Sequence, residues 1–428
     1  MFRSENPVQK LVPEFNFTKA KSEITPTGIK LHTLHAEDAE ISRLQIEFNA
    51  GYAHQKKSLV ANLCAKMLNK GTTDYTAKEI NEQFDRAGAF WEAECMADKL
   101  LLTLHCLPKN LSSVLPLVAN IIKSSTFPQL EFEQLLSISK QKFLVNCQKV
   151  SFVARQVFIE RLYNNAHPYN NTLKIEDFEC IDSQDLLEFY KHHIQTSPFE
   201  LYASANLGQT AREAINAFVH EFDFMENQTK ESTLKIHPPD NHHREMEIKE
   251  LSGFQQNAIR IGLPVIGKEH ADYAALYYTN VLFGGFFGSR LMRNIREDKG
   301  FTYGIHSGIA NHDYSSYFFI STEVGNAYVK ETLTEIETEL RRLQEREIDE
   351  DEIRLVRNYT LGSIMRGFDG AFNAMDRYRS LKKLNHDYSY YDNLIAEIRT
   401  IDSDKIRSVA KKYLNWEQMI KIVVGSKA

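Results

Sequence analysis

Ile181–Ile194 reads IDSQDLLEFYKHHI, and the same opening returns at Ile401–Leu414 as IDSDKIRSVAKKYL. Each begins with Asp-Ser ahead of a helical pattern, which predicts an N-cap whose side chain accepts a backbone N–H of the first turn. The apolar positions coincide at Leu186/Ile406, Phe189/Val409 and Ile194/Leu414, and each helix is followed by a strand-like run, FELYASANL or MIKIVVGS. Two more pairs keep the same order. KLLLTLHCLPKNLSSVL, ending at Leu115, and YFFISTEVGNAYVKETL, ending at Leu333, are each a β-rich run, a turn and a helix. LEFEQLLSISKQKFLV and IDEDEIRLVRNYTLGSIM both place acidic residues ahead of a long helix. Three ordered pairs identify an internal duplication.

The fold class that follows is α+β: two similar domains, each a mostly antiparallel or mixed sheet covered by helices. Between them MENQTKESTLKIHPPDNHHREMEI is polar, contains prolines and lacks periodicity. The expected layout is a first domain over 1–224, a linker over 225–244 and a second domain over 245–428.

Composition narrows the function. Of the 428 residues 43% are hydrophobic and 25% charged, and the formal net charge is −6. That balance argues against a dedicated nucleic-acid binder, which needs a basic face. The opening MFRSENPVQKLVPEF lacks the apolar run of a secretory signal, and no stretch has the length of a membrane span. Five cysteines form no C-x-x-C pair and read as reduced thiols. The expectation is a cytoplasmic protein with no membrane and no nucleic-acid partner.

Two phrases carry chemistry. MLNKGT, Met67–Thr72, follows an early helix that starts near Val60. SRLMRNIREDKGFTYGIHSG, Ser289–Gly308, reads as a Ser-capped short helix burying Leu291, Met292 and Ile295, then Gly300 at a left-handed C′ position, then a strand. Read from these residues alone, Arg293 and Arg296 complement the helix dipole and pair with Glu297 or Asp298, and Tyr303 is a half-buried strand aromatic.

The two phrases, with the duplicated halves, resemble the pitrilysin/insulinase-type peptidase family, in particular its short-chain bacterial and mitochondrial-processing-peptidase-like members. The resemblance covers the whole chain and implies a clam-shell around a central cavity. The family's chemistry needs His-x-x-Glu-His on the early helix, because residues at i and i+4 share a face and two imidazoles can then bind one zinc while the Glu activates water. Here Asn62 and Lys66 stand in the histidine places and Ala65 in that of the general base. The family's third ligand is a Glu on a later helix. Between Glu133 and Glu160 this chain has no acidic residue, and the best register puts Cys147 at the ligand place. The resemblance therefore implies no metal on this chain.

The second phrase, by contrast, matches the family's R-E-x-x-G-x-x-Y at Arg296 and Tyr303. The resemblance implies that Arg296 holds substrate and that the Tyr303 hydroxyl donates to an oxyanion. The expected protein is a non-metal-binding subunit of a heterodimeric zinc endopeptidase, with a peptide substrate and with the zinc on a homologous partner. The rival is an inactive scaffold or peptide-holding homologue. A third reading, an independently active metallopeptidase, requires a zinc on this chain. One departure concerns the strand beside the metal helix, where Glu92-Ala93 replaces the family's usual Asn-Ala. The remaining histidines offer no ligand pattern: His32 and His35 fall on opposite strand faces, His192 and His193 sit at a helix end, and His237, His242 and His243 lie in the linker.

Overall fold

A computed structural model describes residues 17–224, 236, 237, 239, 246–251 and 253–426. Most of the expected linker, including His242 and His243, lies outside the described residues. The first half runs β1 (Lys21–Ile24), β2 (Lys30–His35), β3 (Ser42–Phe48), α1 (Val60–Met67), α2 (Ala77–Arg86), β4 (Phe90–Cys95) and β5 (Leu100–Cys106). It continues with α3 (Leu111–Ser124), α4 (Gln129–Cys147), α5 (Val150–Leu162), α6 (Ser183–Tyr190), β6 (Phe199–Ala205) and α7 (Gln209–His220). The second half runs β7 (Met246–Glu250), β8 (Gln256–Val265), α8 (Tyr273–Asn280), β9 (Thr302–Asn311) and β10 (Ser316–Gly325). It ends with α9 (Val329–Glu345), α10 (Glu350–Arg366), α11 (Gly370–Lys383), α12 (Ser389–Thr400), α13 (Ser403–Tyr413) and β11 (Ile420–Gly425).

The duplication extends to five strands of each sheet, with β1 an addition to the first. One sheet has the order β1-β2-β6-β3-β5-β4 and the other β7-β11-β8-β10-β9. In each, a single parallel pairing (β2 with β6, β7 with β11) adjoins a run of antiparallel ones. Strands β2, β6, β3, β5 and β4 therefore correspond to β7, β11, β8, β10 and β9. The repeated Asp-Ser pairs do cap their helices: Asp182 accepts the N–H of Asp185 at 2.9 Å and Asp402 that of Lys405 at 2.8 Å. The three repeated segments map onto α6/α13, β5–α3/β10–α9 and α4/α10.

Periodicity did not reveal that the halves exchange helices. Helix α5 of the first half lies on the second sheet, with Val153, Val157, Phe158 and Leu162 buried among Ala258, Ile420, Ile422 and Val424. Gly262 makes room for this, since a Cβ there would stand 2.8 Å from the Phe158 ring. Helix α11 of the second half reciprocates, and Tyr378 and Met375 share a core with Leu34 and Tyr202 of the first sheet.

The two seams differ in chemistry. The α5 seam is mainly apolar, each large side chain buried there contributing roughly 1.5–3 kcal/mol, with one ion pair at its rim between Arg161 and Glu247 at 2.6 Å. The α11 seam is ionic. Arg43 on β3 bonds both oxygens of Asp376 at 3.0 Å and the Phe372 carbonyl at 2.6 Å. Arg379 donates to the buried Glu47 at 2.8 Å. Burial pushes the Glu200 carboxyl up, but His32, Tyr202 and Lys30 outweigh that effect and hold it well below the usual carboxylate range.

Candidate functional site

Helix α1 sinks Leu63, Cys64, Ala65 and Met67 into the first core. The i, i+4 pair Asn62 and Lys66 lies on the outward face, Asn62 half-buried and Lys66 exposed. The spacing places them together as read from the sequence, and Ala65 is turned inward. The chain enters α1 through Leu59, a buried residue held at φ +73°, and Gln55 Oε1 accepts the Ala61 N–H at 3.2 Å. The N-terminal turn is thus capped from the preceding loop rather than by its own first residue.

MLNKGT proves to be a scaffold device. Gly71 adopts φ +150°, and a Cβ there would stand 2.8 Å from Pro128 Cγ. Thr72 Oγ1 accepts the N–H groups of Tyr75 (3.0 Å) and Asp74 (3.3 Å), and Thr76 with Glu79 forms the capping box of α2. None of this depends on a metal, so the phrase survives beside a helix without ligands.

The electrostatics of this corner are those of a cation cluster. Partial burial lowers the Lys66 ammonium, and the charge of Lys142 on α4 lowers it further, with Cys95 opposing. Lys142 is therefore an α4 charge near enough to be felt at the motif helix. Cys147, the ligand place in the expected register, is the last residue of α4, its thiol raised by burial with the charge of Lys249 on β7 opposing. Nothing in the sequence singled out Lys142, because the acid-free stretch offers several polar residues at helical spacing. Burial also pushes the Cys95 thiol up to about 12 and raises that of Cys64, so neither supplies a thiolate. A carboxamide, an alanine and two ammonium groups do not fit zinc, which needs lone-pair donors from imidazole, thiolate or carboxylate. Among the described residues no three His, Cys, Asp or Glu side chains converge to hold a metal.

The second phrase is arranged differently. Met292–Asp298 is a short helical segment fastened to α9 by the buried Asn294, which donates to Glu335 (3.0 Å) and Glu339 (2.7 Å). Leu291, Met292 and Ile295 are buried, as their pattern predicted. Gly300 takes φ +66° and turns the chain into β9. Arg296 forms no ion pair with Glu297, Asp298 or any other described residue. Its guanidinium instead lies over the ring of Phe287 at 4.5 Å, and that ring is itself 64% exposed. Stacking on an aromatic face fixes the plane of a guanidinium while leaving its N–H groups directed to solvent.

Tyr303 is 92% exposed, so its half-buried reading is overturned. The cause is a bulge: Thr322 pairs with Ile305 and Val324 with Thr302, so Tyr303 and Gly304 together face Glu323 alone. The extra residue re-aims the ring, and no described residue hydrogen-bonds its hydroxyl. Tyr303 forms the rim of an open groove of about 340 Å³, shared with Gln256, His306 and Glu323. β9 is an edge strand, and its first-half counterpart β4, which carries Glu92 and Ala93, is the opposite sheet's edge. No hydrogen bond, ion pair or ring contact among the described residues joins the α1 corner to Arg296 or Tyr303. No described helix is long and apolar enough to cross a membrane.

Comparison with known proteins agrees with this architecture. The model of the insulinase family (peptidase family M16) matches residues 30–174, and that of the peptidase M16 inactive domain matches residues 181–359. An uncharacterized zinc protease of Rickettsia felis is 23% identical over 350 residues, 79% of this chain and 81% of the relative. Mouse mitochondrial-processing peptidase subunit beta is 20% identical over 391 residues, 87% of this chain and 77% of the relative. The crystal structure of a peptidase M16 inactive domain from Pseudomonas fluorescens superposes with a TM-score of 0.85 at 21% identity, covering 96% of this chain and 98% of that one.

Proposed function

This chain belongs to the insulinase family of peptidases, M16, and we propose that within it the chain is a subunit that binds no zinc and completes the site of a zinc-bearing homologue. The observation that carries this reading is the contrast between its two corners. The α1 corner offers Asn62, Ala65 and Lys66 with the charge of Lys142 nearby, whereas Tyr303 is exposed and half-buried Arg296 makes no ion pair among the described residues.

In this account Arg296, held flat by Phe287, binds a carbonyl or carboxylate of a peptide that spans the two subunits. The Tyr303 hydroxyl donates a hydrogen bond to the oxygen that becomes negative as the scissile carbonyl is attacked. A donor placed in advance acts without reorganising during the step, and its loss typically costs roughly 10²–10³ in kcat. Water activation falls to the partner, since this chain has no base at Ala65. A relative named as a subunit of a processing peptidase supports a two-chain arrangement.

The test is metal analysis after co-purification with a zinc-bearing homologue. One zinc per heterodimer, and none on this chain purified alone, is the expected result. Zinc bound stoichiometrically to the isolated chain would overturn the assignment, and failure of any such homologue to associate would favour the scaffold reading.

A further inference from the structure

The second half has a cavity where its twin in the first half is filled. It holds about 770 Å³ and lies where the β8–α8 loop, the β9–β10 turn and the end of α11 meet. In the first half the corresponding corner is formed by the β3–α1 loop, the β4–β5 turn and the end of α5. There Ala53, Ala97, Leu162, Tyr163 and Tyr169 pack into one buried cluster, and the Tyr169 hydroxyl donates to Asp98 at 2.5 Å. The duplication thus offers an internal control: the same corner closes when aromatic residues follow the exchanged helix.

The lining of the open corner combines cationic and apolar side chains. Lys268 and Lys383 line it together with Met96, Val265, Ile266 and Leu384. Arg379 also lines it but is committed to Glu47. Lys383 has only a loose contact with Asp313 at 3.8 Å, and no described carboxylate lies within ion-pair distance of Lys268. Burial lowers the Lys268 ammonium, and Arg377 and Lys383 repel it further, while Asp313 alone opposes them. Asp313 is shared between the two lysines, and burial pushes its own carboxyl up. Glu269, the other acid of the lining, is exposed. A half-buried ammonium without a counter-ion is costly, and an anion that reached it would recover that cost.

We propose that this cavity binds a small organic anion, a carboxylate or phosphate carried on an apolar body, with Lys268 and Lys383 as its counter-charges. The site is separate from the α1 corner and from Arg296 and Tyr303, and it does not depend on the peptidase reading. The apolar wall seats the body of the ligand, and a few convergent polar groups fix its charged end.

Isothermal titration of the purified chain with inorganic phosphate, and separately with hexanoate, tests this. Saturable binding of at least one is expected, weakened about tenfold or more in Lys268→Gln and in Lys383→Gln, as befits loss of a charge-assisted hydrogen bond. Lys411→Gln, an exposed lysine outside the cavity, should leave it unchanged. Preference for phosphate or for hexanoate assigns the head group. Absence of saturable heat with both titrants, or unaltered affinity in Lys268→Gln, overturns the proposal. If Lys268→Gln does not fold, Lys383→Gln decides by the same tenfold criterion.

Discussion

Burial depresses the ammonium of Lys66 on α1, and the charge of Lys142 on α4 depresses it further, so two helices bring positive charge to one corner. On the proposed reading, exclusion of a metal from this corner involves both helices. A motif helix with neutral substitutions could still admit a cation; one opposed by a second ammonium repels it.

Rebuilding the site is correspondingly demanding. Asn62→His, Ala65→Glu and Lys66→His together should give at most weak zinc binding, because Lys142 remains. Adding Lys142→Glu should raise affinity by roughly two orders of magnitude, since it replaces a repelling charge by a carboxylate ligand. Competition titration against a chromogenic chelator measures this. Equal affinity with Lys142 and with Glu at that place would refute the register. Cys147→Glu in the same background should do nothing.

The two exchange seams should respond to opposite perturbations. Phe158→Ala removes a fully buried ring from the apolar seam and should cost about 3–5 kcal/mol with little dependence on salt. Arg379→Met leaves Glu47 buried without its partner and should cost about 3–5 kcal/mol. Urea unfolding at low and high ionic strength compares them, because Phe158→Ala removes no charge whereas Arg379→Met alters a charged cluster that includes Asp376 and Arg43. A Phe158→Ala penalty that shrinks with salt, or an Arg379→Met penalty near zero, would count against the picture.

Acid should weaken the fold through His193. Burial, with His54 and His192 adding repulsion, pushes its imidazole down to about 4, against an ordinary value near 6.5. The unfolded chain therefore binds the proton more readily between those values. The stability that neutral His193 contributes is present above about 6.5 and is lost as pH falls toward 4, by at most about 3 kcal/mol. His193→Asn should flatten the stability profile over that window. An unchanged slope in the variant would show that other groups carry the acid sensitivity.

Much of this was legible in the sequence. The repeated Asp-Ser pairs at Asp182 and Asp402 fixed the duplication, and both caps form. The Gly300 turn and the buried face of Leu291, Met292 and Ile295 also followed from residue type and spacing. What remained hidden depends on partners distant in the chain. Periodicity tells which face of α5 or α11 is apolar, not which sheet it will cover. The room that Gly262 gives to Phe158 is visible only once the halves interlock. Likewise Lys142 and Cys147 lie on the acid-free stretch of α4, and spacing alone does not choose between them. The exposure of Tyr303 arises from a bulge opposite Glu323 that alternation cannot predict.

The central claim is tested most directly by the kinetics of the paired chains. This chain should be co-expressed with a zinc-bearing homologue and peptide hydrolysis measured for the wild type, Arg296→Ala and Tyr303→Phe. The account predicts activity only in the pair, a fall in kcat of roughly 10²-fold or more for Tyr303→Phe, and a comparable loss of kcat/KM for Arg296→Ala. Hydrolysis by the pair that is unaffected by both substitutions would contradict it.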